Sequence, residues 1–430
     1  MTTGQTAGEA AGWTAASANV HASVLDQPIS ISRAQRHLLV AGLICYGFDA
    51  LDFMMLTLAL PLMIAEWHLT LGQAGLLGTA GMVGVGLSAL VLGWCADRYG
   101  RRPALLASVV IFALFTAAIA LARNRWEVMA LRFIAGFGIG GVWGVVTTLI
   151  KEVWPPARRA RAISWVLSAW PVGVSAAALL SAAVLPRFGW RALFLCGATA
   201  LLGAAYAYLV VPESGVWQAH QLKHAGRERG TVKQIFVAGY GRHTLIATLA
   251  AASGLAAYWG INTWLPTYLV SERALAHSGM SLYLLVLNAG MFCGYPLLAR
   301  LADRIGKRRA LVASYLTASV VVPIYACIRN PVVLLVFGPV MALGFSQTGL
   351  LGAYFPELYP TEVRSLGTGF CFNVGRGMAA IAPYTFGQLA IHVGLAPTIA
   401  LFGFAYLSAG LLMLLLPEHP PHMDGPEAVA

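Results

Sequence analysis

An apolar run of about 20 residues, wound as a helix, is long enough to cross the ~30 Å hydrocarbon layer of a bilayer, and a chain with many such runs has few other ways to fold. This sequence holds twelve, at approximately 37–65, 73–95, 103–122, 127–150, 159–184, 191–211, 243–270, 278–299, 310–328, 331–355, 363–390 and 395–416. A polar gap at 212–241, carrying Lys223, Arg227, Arg229 and Lys233, separates the first six from the last six. The pattern predicts an all-α polytopic membrane protein with twelve transmembrane helices in two six-helix bundles. The predicted parts are a tail (1–35), a first bundle (36–211), a linker (212–241), a second bundle (242–416) and a tail (417–430).

Composition agrees. Charged residues make up 10% of the chain and the mean hydropathy is +0.72, whereas an average soluble chain is ~25% charged. A net charge of +11 could suggest nucleic acid, but the basic residues stand in short clusters between apolar runs, as membrane anchors do. With the N-terminus placed in the cytoplasm, 20 of the 28 Lys and Arg fall inside and six outside, while Arg132 and Arg376 lie within spans. That bias predicts cytoplasmic termini and an inner-membrane location. The six cysteines show no metal-type spacing and are expected to be free thiols. The first 35 residues lack an apolar core followed by a cleavage site, so no removable signal peptide is evident and the first span is expected to direct insertion.

An internal repeat makes the bundles pseudo-symmetric. GWCADRYGRR (93–102) after the second span returns as ARLADRIGKRR (299–309) after the eighth, which sets Asp303 at 206 residues from Asp97. Glu152, Pro155 and Arg159 return 205 residues later as Glu357, Pro360 and Arg364. Parallel repeats of six spans predict a substrate site between the halves near the midplane.

These motifs resemble the major facilitator superfamily, whose loop signature GxxxDRxGRR the repeat matches. Within that superfamily, YGFDALDF, RFIAGFGIGG, VPES and PELYPTEVR are similar to the proton symporters of organic acids, among them carriers of aromatic acids, sialic acid and monocarboxylates. The resemblance implies transport of a small organic anion by alternating access, with no chemical reaction catalysed and no cofactor beyond the proton gradient. The chain is expected to work as a monomer.

Charged residues inside spans are functional candidates, since each costs at least ~2.5 kcal/mol in hydrocarbon. Asp49 and Asp52 are three residues apart and share a helix face ~18–22 Å into the bilayer. The reading is a proton-coupling pair, with neutralisation by buried Arg for stability as the alternative. Arg132, ~21 Å from the inner boundary, matches the depth of Asp52. Arg376, ~18 Å deep, matches Asp49. Snorkelling is the alternative for Arg132, and a hydrogen bond to helix carbonyls the alternative for Arg376. Because two acids on one face cannot both ionise freely, and Arg132 would hold Asp52 ionised, Asp49 is the expected proton carrier.

The expected substrate-binding set is Arg376, Arg132, Asn373, Tyr258, Asn262, Asn288 and Gln347, with Arg376 as the bidentate anchor for a carboxylate. Ser346 and Tyr384 are further polar candidates, and Gly136, Gly138, Gly140 and Gly141 are read as packing residues. In the loops, Asp97, Arg98, Arg101, Arg102, Glu152 and Arg159, with Asp303, Arg304, Glu357 and Arg364, form the expected gating networks, which break and reform as the halves rock. Topogenic charge alone is the other reading of the basic members. The sequence shows no metal cluster, catalytic triad, P-loop or dinucleotide fingerprint, which leaves gradient coupling as the energy source. A proton-driven exporter of drugs is the first rival to the import reading. A receptor or sensor is the second, although tails of about 35 and 14 residues are too short for a signalling domain.

Overall fold

The computed structural model describes residues 31–215, 217–218, 235–236, 240–359 and 363–418. The linker cations Lys223, Arg227, Arg229 and Lys233, and Pro360 of the repeat, lie outside the described residues. The first half comprises α1 (Arg33–Trp67), α2 (Leu71–Tyr99), α3 (Arg101–Ala118), α4 (Arg125–Val153), α5 (Pro156–Leu167), α6 (Ala169–Leu195) and α7 (Ala200–Val210). The second comprises α8 (Tyr240–Ser271), α9 (His277–Ile305), α10 (Lys307–Cys327), α11 (Pro331–Leu343), α12 (Gln347–Tyr354), α13 (Arg364–Ala379), α14 (Ala382–Val393) and α15 (Leu395–Leu414).

Local chemistry fixes where the helices begin. Ser32 with Gln35, and Thr70 with Gln73, form reciprocal capping boxes that satisfy the first free N–H groups of α1 and α2. Asn124 and Asn330 each accept two backbone N–H bonds, starting α4 and α11. Several spans are interrupted. Short 3-10 turns at Gly344–Ser346 and Phe355–Leu358 bend the tenth crossing around α12, and α13 gives way to α14 just before Pro383.

Ten helical stretches of the described residues are long and apolar enough to cross a membrane. One of them, Arg161–Val210, has 50 residues, more than twice what one crossing needs. It turns at Gly189, whose φ of 71° and ψ of −178° leave the helical region, so it supplies the fifth and sixth crossings. The broken pair α13 and α14 supplies the eleventh. Twelve crossings result. Leu121, Phe188, Leu202 and Leu209, each 70–79% exposed, face the position of lipid rather than water.

Within the first half α2 packs on α4, α1 on α6 and α3 on α4; within the second, α10 and α8 pack on α15, and α8 on α13. Between halves, α6 meets α9, α2 meets α14 and α1 meets α8. Small residues set these distances. A Cβ on Gly136 would strike the carbonyl of Gly81 within the first half, and one on Gly75 would strike the Pro383 carbonyl across the halves. The backbones of α2 and α14 therefore touch directly, away from the loops that carry the repeated charges.

Gly75→Ala is expected to force the halves apart at this end, whereas Gly86→Ala, whose new methyl would meet Gly377 at an ordinary 3.6 Å, is not. Spin labels on α2 and α14 would report the separation. An unchanged distance distribution for Gly75→Ala would show that the glycine contact does not hold this end closed.

Candidate functional site

Between the halves lies a cavity of 730 Å³, a size typical of small-molecule sites. Its inner end holds Asp49 of α1 and Arg376 of α13, one from each half, and its other end reaches Asp97, Arg101, Lys151, Phe355 and Thr368. The cavity thus runs from mid-span toward the basic loops. The opposite end is shut by the α2–α14 contact, by a 3.0 Å hydrogen bond between the buried hydroxyls of Ser181 and Ser281, and by Thr79, whose hydroxyl accepts the Tyr384 N–H at 3.3 Å.

Asp49 and Arg376 bring opposite charges to the same space, without a direct ion pair between them. Asp49 is 3% exposed, and its Oδ1 has no hydrogen-bond partner. A buried carboxylate oxygen without a donor is costly, so this atom is held for a proton, a ligand or water. Around the pair the wall is aromatic, comprising Tyr46, Trp143, Trp170, Tyr258, Trp259 and Tyr295. The rings of Phe53 and Trp259 pack with centroids 4.3 Å apart and planes tilted by 44°. Asn373, three residues before Arg376 and hence on the same face, also lines it.

Asp52 has different surroundings although it is one helical turn away. It pairs with Arg132 at 3.2 Å and accepts the Thr116 hydroxyl at 2.7 Å, with both charged side chains 2% exposed. Equal depth placed Asp52 and Arg132 together, and they meet. Arg132 is nevertheless outside the cavity lining, so its expected direct contact with substrate is not available in this conformation. Asn262 and Asn288 are also off the lining, because each donates to the carbonyl four residues earlier on its own helix, at 2.9 and 2.7 Å. Gln347 is buried beside the lining residue Thr348 without joining it, and Ser346 donates to the Met291 carbonyl at 3.2 Å. Of the expected binding set, Arg376, Asn373 and Tyr258 line the cavity.

At the basic end Arg101 is the hub, bonding Asp97 and Glu152 at 3.1 Å each and the Ala96 carbonyl at 2.8 Å. Arg98 lies over the rings of Trp94 and Tyr99, and Arg102 over that of Tyr208. In the second half Lys307 pairs with Glu357, the counterpart of Arg101 with Glu152. Asp303 and Arg304 form no ion pair among the described residues. Arg159 and Arg364 also depart from the expected carboxylate network; they donate to the carbonyls of Trp154 at 2.8 Å and Tyr359 at 3.3 Å. These two arginines close the turn before their own helices. No ion pair among the described residues crosses between the halves.

Two carboxylates at this end stand outside the expected gating networks, Glu213 within the VPES motif and Glu418 in the C-terminal tail. Glu213 accepts the backbone N–H groups of Arg101 and Arg102 at 2.9 and 3.2 Å, capping α3. Glu418 sits against Gly306 at the start of α10 and pairs with Arg308 and Arg309 at 3.1 Å. Gly100 and Gly306, with φ of 114° and 93°, provide the turn, and a Cβ on either would collide with the glutamate carboxylate packed against it. Glu213 and Glu418 are 205 residues apart, the spacing of the other repeats, and that spacing, with the VPES motif for Glu213, was the signal available for them.

A two-bundle membrane protein with an aromatic-walled cavity between its halves, carrying one acid and one base at mid-span, has the architecture of a solute carrier. The sequence profile of the Major Facilitator Superfamily matches residues 42–383 and 289–430, and the chain belongs to this superfamily, as a transporter rather than an enzyme. It is 29% identical over 377 residues to the cis,cis-muconate transport protein of Acinetobacter baylyi, covering 85% of this chain and 90% of that protein. To the niacin transporter NiaP of the same organism it is 30% identical over 404 residues, covering 86% and 91%. The D-xylose-proton symporter superposes with a TM-score of 0.75 over 90% of this chain and 99% of its own, at 18% identity.

Arg376→Ala is expected to weaken binding of a carboxylate at least tenfold, because charge-assisted hydrogen bonds contribute ~1.5–3 kcal/mol each, with Arg376→Lys recovering only part. Isothermal titration on the folded variant would check it, and full affinity would take Arg376 out of the site. Asp97→Asn, which removes one of the two acids on Arg101, should lower transport more than equilibrium binding. A collapse of affinity with normal turnover of bound substrate would exclude a gating role.

Proposed function

We propose that the protein is a proton-coupled secondary transporter that imports a small organic anion across the inner membrane by alternating access. The observation that carries this reading is Asp49 and Arg376 facing one cavity from opposite halves. Residues 36–211 and 242–416 act as two rocking bundles joined by 212–241, with both tails in the cytoplasm and one chain sufficient for transport. On that orientation the cavity opens inward. The loop networks around Arg101 and around Lys307 rearrange when the inner end closes.

The substrate class follows from the wall. A guanidinium anchors a carboxylate as a two-pronged hydrogen-bond donor, and flat aromatic faces favour a planar or unsaturated framework attached to it. The names of the relatives, for muconate and niacin, support such an acid.

Coupling needs no separate proton path. When Asp49 is protonated, Arg376 is free to pair with an incoming anion. When Asp49 loses its proton to the cytoplasm, its charge competes for Arg376 and the anion leaves. By linkage, proton and anion each strengthen the binding of the other. Asp52, held by Arg132 and Thr116, keeps the first half's charge fixed beside this switch.

Asp49→Asn imitates the protonated acid. In proteoliposomes it is expected to abolish accumulation driven by an inward pH gradient while exchange of external for internal substrate continues, since exchange does not require release of the proton. Retained accumulation in Asp49→Asn with loss in Asp52→Asn would transfer the coupling role to Asp52. Efflux driven by the inward gradient in the wild type would instead make the protein an exporter.

A further inference from the structure

Among the described residues, three hydrogen bonds involving side chains join the halves, and one of them lies in the cavity itself: Trp170 of α6 donates its indole N–H to the Tyr258 hydroxyl of α8 at 3.2 Å. The other two, at Ser181 with Ser281 and at Thr79 with Tyr384, belong to the closed end. Both ring systems of the cavity bond are buried. Trp170 packs on Tyr46, Phe53 and Trp259, and Tyr258 on Trp259 and Phe345, so neither ring turns freely.

An indole N–H only donates, whereas a phenol donates once and accepts twice. By accepting from Trp170, Tyr258 turns a lone pair toward the first half and keeps its own proton, which no protein acceptor among the described residues takes. The neighbouring Trp259 N–H is also without an acceptor. This part of the wall therefore has donors to spare, which suits an anion.

We propose that Trp170 is a positioning residue that holds the Tyr258 hydroxyl with its proton available to an acceptor atom of the bound anion, and that the same bond latches the two halves at the cavity floor. The two roles support each other. Opening the far end separates α6 from α8, strands the Trp170 N–H and releases the Tyr258 hydroxyl, so occupancy of the site and closure of the far end are coupled. The anion-contact part rests on the transport reading above, while the latch does not.

The test uses full-length protein carrying Ser281→Cys as a reporter, in vesicles with an impermeant maleimide confined to the side away from the basic loops. Modification at position 281 is read by peptide mass without added ligand. Trp170→Phe and Tyr258→Phe, which keep ring bulk, are each expected to label about fivefold faster, the population shift that one neutral hydrogen bond gives. The double variant should label no faster than Tyr258→Phe alone. Unchanged rates, or effects that multiply in the double variant, overturn the latch, and either single variant suffices if the other fails to fold.

A second arm titrates benzoate and nicotinate. Trp170→Phe should weaken whichever probe binds the wild type by about fivefold, and this loss should vanish in a Tyr258→Phe background. A loss that persists there overturns the positioning role. If the wild type binds neither probe, the planar-acid reading and the anion contact fail together, and the labelling rates still decide the latch.

Discussion

The structure depends on how carboxylates are kept in a layer that does not solvate them. Removing an ion from water is opposed by desolvation, and a buried pair offsets that only when geometry and further hydrogen bonds are good. Asp52 meets those conditions with Arg132 and the Thr116 hydroxyl. Asp49 does not, since its counter-charge stands across a cavity on the other half and one of its oxygens is unpartnered. The first arrangement is static. The second is completed only by something that enters, which is why neighbouring acids on one helix face carry different proposed roles.

Around that centre the duplicated chain solves each loop problem twice, with small differences. Arg101 with Glu152 becomes Lys307 with Glu357, and Arg159 on Trp154 becomes Arg364 on Tyr359. The same doubling appears at the far end, where Glu66 grips Trp190 and Arg191 while Glu272 takes the first N–H groups of α15. Each half is thereby braced within itself. Between halves the contacts among the described residues are made by hydroxyls, an indole and glycine-lined backbone, and no ion pair among those residues joins the halves.

Much of this was legible because membrane depth is a linear function of residue count. The span lengths, and the matching levels of Asp52 with Arg132 and Asp49 with Arg376, follow from 1.5 Å per residue, while the repeat was legible from motifs recurring 205 and 206 residues apart. What depth cannot give is azimuth beyond a single helix. Asn262, Asn288 and Arg132 lie at useful depths but do not line the cavity, two of them because a carbonyl on their own helix satisfies the amide. The aromatic wall was hidden for a compositional reason, since Trp143, Trp170 and Trp259 read in sequence like the many aromatics that face lipid. Loop carboxylates failed differently. Motif spacing paired acids with bases, whereas Glu213 acts largely on backbone N–H groups, which no side-chain pattern displays.

Glu213 and Glu418 also have a topological meaning. Glu213 and Glu418 follow the last span of their halves and reach back to the loop between the second and third. Each half is thus closed non-covalently into a ring, with its exit strapped to its own early loop instead of hanging from the bundle. Force applied through the chain beyond either glutamate arrives first at a strap. A fusion partner joined downstream of residue 418 pulls on that carboxylate before it pulls on α15, whereas one joined at Leu414 would leave Arg308 and Arg309 without their carboxylate and the second ring open.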